Sequence, residues 1–415
     1  MSNPVWRFYG RAYSFHPGEL EPHLQGFVGK LAVSGYTPLS IEDYVRSIAH
    51  FGDWINRRRL FVADINEHLI SLFIAHRCRC VETARPDARS PRYARRIRRF
   101  VSYLSEQSVL APEPNQPPVA AIPLQSDFIH WLSQHRGISD RTIERHMMVL
   151  RLMIERLGRD VSKYNARRIR DEICARAKGC RPSTTKTFCT ALRVYLRFLI
   201  SVGKCRPGLD ESVPLIPQWR LSALPRYLCV QDVERLIASC DCSKPGGIRD
   251  RAILLLLSRL GLRAGDILNL RLSDIDWHEG TLLVSGKGRR EVKLPLPQDA
   301  GEALLRYLNE ARPALDVERV FLCASAPLRA MQTSASVSDV VRLALRRAGI
   351  SDPPTWGANL LRHSAATSML RGGASLDAVG SLLRHRSPNT TVHYAKVDVL
   401  MLRRIVQPWP EVVSC

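Results

Sequence analysis

Apolar residues recur three and four positions apart along most of the chain, the spacing of helices that bury one face. Two long stretches share a layout. "FVGKLAVSGYTPLSIEDYVRSIAHFGDWI" starts at Phe27 and "FIHWLSQHRGISDRTIERHMMVLRLMIERL" at Phe128. Each predicts an apolar helix, a short turn containing Gly35 or Gly137, and a Ser or Thr placed to cap a second helix. Ser40-Ile41-Glu42 aligns with Thr142-Ile143-Glu144, and each stretch is followed by an apolar–basic helix, "RRIRRFVSYLSEQ" or "TALRVYLRFLISVG". The pattern predicts two small helical bundles that look like copies of one plan.

Proline marks the borders. "APEPNQPPVAAIP" (111–123) cannot sustain helix or sheet and reads as an extended linker, and "CRPGLDESVPLIPQWRLSALPR" (205–226) as a longer one. The expected domains are residues 1–110, 124–204 and 227–415. The third changes period. A helix is predicted over 247–260, ending at Gly261, with another from Ala264. "TLLVSG" and "EVKLPLP" alternate as strands around the turn "GKGRR", and "VFLCAS" reads as a further short strand. Helices follow over 334–348, 359–371, 375–384, 389–395 and 398–406. The fold class is therefore mainly α with a small β component: helical N-terminal domains and an α+β C-terminal domain.

Composition narrows the partners. Lys and Arg number 61 against 39 Asp and Glu, a formal net charge of +22 at pH 7, which suits a polyanion. The densest run lies between Arg77 and Arg99. Arg95, Arg96, Arg98 and Arg99 there, with Arg141 and Arg145 in the second bundle, are candidate contacts to DNA phosphates. The longest apolar run, "AILLLLSRLGL", is broken by Ser258 and Arg259 and is too short to cross a membrane. The N-terminus lacks the apolar stretch of a secretory signal. Eleven cysteines follow no regular framework, Cys78/Cys80 and Cys240/Cys242 being spaced C-x-C, so reduced thiols in a cytoplasm are expected and a zinc site is not.

Four places in the third domain carry chemistry. "GLRAGDILNL" puts Arg263 just after a helix stop, with Asp266 three residues on. "SGKGRR" puts Lys287 at a hairpin tip, "ANLLRHSAATSML" supplies Arg362 and His363, and "LLRHRSPNTTVHYAK" supplies His385 and Tyr394. Each is weak alone, and "GKG" lacks the Ser or Thr of a phosphate-cradling P-loop. In this order and spacing, over about Tyr227 to Lys396, the domain resembles the catalytic domain of the tyrosine recombinases, the phage-integrase family. "GLRAGDILNLRLSDIDW" and "LLRHRSPNTTVHYAK" are the most specific pieces. Residues 124–204 resemble that family's helical core-binding domain, and residues 1–110 extend beyond its minimal form as an additional DNA-binding or assembly domain.

The resemblance implies that Arg263 and Arg362 hold the non-bridging oxygens of a DNA phosphodiester and stabilise the phosphorane-like transition state. It implies Tyr394 as nucleophile forming a 3′-phosphotyrosyl bond, Lys287 as general acid for the 5′ oxygen, and His385 as hydrogen-bond donor to the phosphate. Asp266 would orient Arg263 from behind. The bond energy is conserved in the protein–DNA ester, so no cofactor is implied. One position departs from the family's H-x-x-R: here it is Asn359-Leu360-Leu361-Arg362. Residues three apart share a helix face, so Asn359 is expected to position the phosphate beside Arg362 by its amide without acting as a base. His363 lies about 100° round the helix from Arg362 and is expected to be a packed, hydrogen-bonded residue, with relocation of the base to it as the alternative. His393, beside the tyrosine, is a weaker substitute.

The expected function is a site-specific DNA recombinase, an integrase or transposase of a mobile element. Its partner is double-stranded DNA, gripped as a homotetramer on two DNA sites, with companion recombinases or accessory DNA-bending proteins as further partners and no membrane. The location is cytoplasmic, nucleoid-associated on DNA. The amphipathic "VDVLMLRRIVQPW" after Tyr394 could dock on a neighbouring subunit or pack on its own domain. The alternatives are a type IB topoisomerase-like relaxing enzyme and a catalytically impaired DNA-binding accessory protein.

Overall fold

A computed structural model describes residues 5–8, 11–14, 18–76, 91–110, 122–217, 224–285, 291–385, 387–396, 402, 403 and 406. The chain folds into two compact units: residues 1–110 with 221–415, and residues 111–220.

In the first unit a short antiparallel hairpin, β1 (Val5–Phe8) and β2 (Arg11–Ser14), precedes four helices: α1 (Glu21–Val33), α2 (Pro38–Arg57), α3 (Glu67–Ala75) and α4 (Pro91–Glu106). The second unit holds α5 (Gln125–Arg136), α6 (Asp140–Leu157), α7 (Ala166–Ala177) and α8 (Pro182–Ser201). The duplication in the sequence is visible in local structure. Gly35 and Gly137 both take positive φ, +80° and +53°, which ends the first helix and turns the chain into the second. The second helices start after Thr37 and Ser139, three residues before the aligned Ser40 and Thr142, which stand in the first turn instead. A 3₁₀ turn follows in each, and Asn66 and Asn165 then cap α3 and α7 through their side chains. Each four-helix set has its own apolar core, one built around Phe27, Phe51 and Phe100, the other around Phe128, Tyr195 and Phe198.

Within the first unit, the C-terminal part contains α9 (Val230–Ala238), α10 (Pro245–Arg259), α11 (Ala264–Asn269), a three-stranded antiparallel sheet, α12 (Gln298–Arg306), α13 (Ser334–Arg347), α14 (Asn359–Arg371), α15 (Leu376–Leu382) and α16 (Pro388–Ala395). The sheet is β3 (Ile275–Asp276), β4 (Thr281–Ser285) and β5 (Glu291–Pro295), in that order. Leu282 faces Leu294 and Val284 faces Val292, so one face of the hairpin closes on the core. The stretch expected as a strand, "VFLCAS", forms no strand and makes only an isolated bridge from Leu322 to Ala330. The apolar helix α10 is buried on nearly every side, which its continuous run of Ile and Leu requires, and it forms the hub against which α12, α13 and α14 pack.

The hairpin tip 286–290 with Lys287, the arginine-rich stretch 77–90, and most of the amphipathic segment after residue 396 lie outside the described residues. Among the described residues no helix is long and apolar enough to cross a membrane.

Candidate active site

The site lies where the ends of α10, α14, α15 and α16 meet. Helix α10 stops at Gly261, whose φ of +57° turns the chain. A Cβ there would meet Leu383 Cδ2 at 2.5 Å, so the close approach also calls for glycine. Two residues later Arg263 caps α11, and its backbone N–H donates to Asp266 Oδ2 at 2.8 Å. Asp266 therefore contacts Arg263 through its backbone N–H. The i+3 spacing places a carboxylate over the helix's own first turn. The same Oδ2 accepts from Nη2 of Arg384.

The guanidiniums are held chiefly by carbonyls. Arg362 donates from Nη1 to the Gly261 carbonyl and from Nη2 to the Leu383 carbonyl, and its side chain is buried. Arg263 Nη2 donates to the Arg384 carbonyl at 3.3 Å, while its Nη1 is buried with no partner among the described residues. Burial, with Arg263 and Arg384 nearby, pushes Arg362 down to about 10, which leaves it cationic at neutral pH. Arg263 is lowered in the same direction, burial again leading.

Tyr394, on α16, is 2 % exposed, and its Oη lies 2.7 Å from His363 Nδ1. His363 is hydrogen-bonded, and its partner is Tyr394 itself. The helical angle from Arg362 was right for α14 alone, but the tyrosine arrives from another helix, on the side that His363 occupies. Burial raises the tyrosine's pKa, and Arg362 and Arg263 oppose that shift. His363 is lowered by burial, then by His393 and Arg362. His385 Nδ1 is 2.8 Å from Thr391 Oγ1, and its ring is parallel to that of Tyr394 with centroids 6.3 Å apart. Burial and the two arginines push His385 down to about 4. Both histidines that touch the tyrosine's surroundings are thus neutral at pH 7. His393 stands with its ring 6.5 Å from that of His363. Asn359 is exposed at the start of α14, one turn before Arg362.

Arg384 was missed in the sequence, where it reads as one more surface arginine in a basic chain. It is buried, and takes φ +53°. The candidate DNA contacts differ among themselves. Arg95, Arg141 and Arg145 are exposed, whereas Arg96 pairs with Asp43, Arg98 pairs with Glu67, and Arg99 lies over the Tyr36 ring.

The guanidiniums of Arg263 and Arg362, with no carboxylate hydrogen-bonded to them among the described residues, a buried tyrosine hydroxyl and two neutral imidazoles around one centre are equipment for phosphoryl transfer to a tyrosine. Similarity to known proteins points the same way. The profile of the phage integrase family matches residues 226–400. The putative integrase/recombinase y4rA of Sinorhizobium fredii is 34% identical over 401 residues, covering 95% of each chain. Tyrosine recombinase XerD of Listeria monocytogenes is 30% identical over 293 residues, 68% of this chain and 96% of its own. Among solved structures, the XerH site-specific recombinase in a post-cleavage complex with its difH substrate has a TM-score of 0.53 at 20% identity, over 68% of this chain and 83% of that one. A lambda integrase tetramer bound to a Holliday junction has a TM-score of 0.52 at 19% identity, over 74% and 87%. The chain belongs to the phage integrase family and is a tyrosine recombinase, an enzyme of DNA strand breakage and rejoining.

Proposed function

We propose that this recombinase cleaves and rejoins duplex DNA through Tyr394, with the proton of its hydroxyl passing to His363. The observation that carries the reading is the 2.7 Å contact between Tyr394 Oη and His363 Nδ1 beside Arg362 and Arg263. In cleavage, Oη attacks the scissile phosphorus and its proton moves to His363 Nδ1. The P–O5′ bond breaks, and the 5′ oxygen takes a proton from Lys287. A 3′-phosphotyrosyl ester and a free 5′ hydroxyl result. Rejoining reverses each transfer with a 5′ hydroxyl as nucleophile, so one ester replaces another and no external energy source is needed. Arg263 and Arg362 cradle the non-bridging oxygens. His385, with Nδ1 accepting from the Thr391 hydroxyl, donates from Nε2 to the phosphate, and the Asn359 amide supports it from the start of α14.

Exchange between two duplexes needs four cleavages, which a homotetramer on two DNA sites supplies, in line with the lambda integrase tetramer named above. Residues 124–204 act as a core-binding domain, with Arg141 and Arg145 exposed on α6, and residues 1–110 as an additional DNA-binding or assembly domain. The separate apolar cores support this division. Companion recombinases or DNA-bending proteins are compatible with this scheme, and the enzyme works on DNA in the nucleoid.

The test is covalent capture. The full chain is incubated with a pool of nicked duplexes of randomised sequence, and detergent-resistant adducts are isolated and sequenced. The parent should yield adducts at a defined site and Tyr394→Phe none, with duplex binding within a few-fold because phosphate contacts dominate it. Adduct from Tyr394→Phe refutes the assignment. Plasmid relaxation by a monomer without preferred sites would favour the topoisomerase alternative.

A further inference from the structure

Arg384 sits at a helix stop in a conformation that a side chain disfavours. Helix α15 ends at Leu382, with Leu383 as its C-cap. The Arg384 N–H bonds the Ser381 carbonyl and the His385 N–H bonds the Gly380 carbonyl, both at 3.0 Å. That paired ladder is the Schellman motif, whose left-handed residue is usually glycine. A side chain there is disfavoured, because its Cβ comes too close to the following carbonyl oxygen. An arginine kept at such a place points to a use for its side chain.

The surroundings indicate the use. The side chain is 5% exposed, and of its donors Nη2 meets Asp266 while Nε and Nη1 have no partner among the described residues. Arg263 Nη1 is in the same state. Burying a guanidinium with open donors is costly unless something anionic completes it. Charge counting names the anion. Arg263, Arg362 and Arg384 with Asp266 leave two positive charges. A phosphodiester carries one negative charge. Once Tyr394 has given up its proton and its oxygen has joined the phosphorus, the five-coordinate centre carries two.

We propose that Arg384 is a third arginine on the scissile phosphate, donating from Nε and Nη1 to a non-bridging oxygen, where negative charge grows as the tyrosine attacks. Tyr394 is buried as well, at 2% exposure, and both Arg384 and Tyr394 lie beside Arg362 and Arg263. The inference rests on the recombinase reading above. The rival is a positioning residue that acts only through Asp266 and the Arg263 backbone.

The test uses a duplex captured by the parent, with its scissile phosphate either native or replaced by methylphosphonate, which carries no charge. Arg384→Gly keeps the left-handed backbone. It should slow single-turnover cleavage of the native duplex by roughly 100- to 1,000-fold, with gel-shift affinity within a few-fold. On methylphosphonate the loss should shrink to below about tenfold, because one charge fewer develops. An equal loss on both substrates overturns the proposal in favour of the positioning role, and no loss overturns both. If Arg384→Gly does not fold, Arg384→Lys and Arg384→Gln decide. Lysine keeps the charge but not the fork and should cleave the native duplex faster than glutamine, and equal rates overturn the proposal. A parent that forms no adduct at all fails the recombinase reading itself and this inference with it.

Discussion

Replacing His363 is the sharpest probe of how the tyrosine is activated. His363→Ala removes the only acceptor hydrogen-bonded to Tyr394 Oη among the described residues, at 2.7 Å. A positioned general base contributes about 100- to 10,000-fold, so single-turnover cleavage should fall on that scale. The hydroxyl is also buried, and stranding it should lower stability by about 1–3 kcal/mol. His363→Gln restores an acceptor without a titratable group, so it should recover most of the stability and little of the rate. The pH dependence has a definite sign. The base works in its neutral form, and burial, His393 and Arg362 hold its pKa below the ordinary 6.5. The parent rate should therefore stay level through neutrality and fall only as pH drops below 6.5, where protonation of His363 removes the base. Asn359→His should not replace His363 if the proton leaves along the Oη–Nδ1 contact, and the double variant Asn359→His/His363→Ala should remain slow. Cleavage of His363→Ala at the parent rate with the same pH profile would refute the reasoning. A faster rate would mean that the contact parks the tyrosine.

Arg263→Ala and Arg362→Ala should each slow cleavage by roughly 100- to 1,000-fold, measured by adduct formation under single turnover. Arg362→Ala should also lower the unfolding midpoint more, because it strands the Gly261 and Leu383 carbonyls, whereas Arg263 leaves one carbonyl. In the N-terminal helices, burial first and then His76 push the fully buried His50 down to about 4. The unfolded chain takes up that proton near 6.5, so stability is intact above 6.5 and lost as pH falls toward 4, on the order of 3 kcal/mol. Urea unfolding at pH 7 and 4.5 should show this slope, and His50→Gln should flatten it.

Much of this architecture is legible from periodicity. The helix expected over 359–371 is α14 residue for residue, and the hairpin strands lie where alternation put them. What escaped was tertiary. Helical angle locates His363 relative to Arg362, but only the packing of α16 on α14 brings Tyr394 to its other side. Asp266 shows the opposite case. Its position three residues after Arg263 was a capping signal as well as a charge-pair signal, and local chemistry won because the backbone donor is always within reach. Arg384 carried one clue, an arginine between "LL" and "HRSP" at a helix end where glycine is the common choice, which the surrounding basic composition concealed.

Helix ends explain why the arginines here can serve a phosphate at all. Carboxylates could hold three guanidiniums in place, but each would cancel a charge that the reaction needs. Here Arg362 is anchored by the carbonyls of Gly261 and Leu383, just beyond the ends of α10 and α15, and Arg263 by the carbonyl of Arg384. Carbonyls at helix C-termini carry partial negative charge and lack intrahelical donors, so they orient a cation while leaving most of its charge in play. The left-handed turns at Gly261 and Arg384 direct those carbonyls inward, and the carboxylate of Asp266 is spent on a backbone N–H and on Arg384. The positive excess that makes the free site costly to bury is thereby the property that favours a phosphate gaining negative charge as the tyrosine attacks.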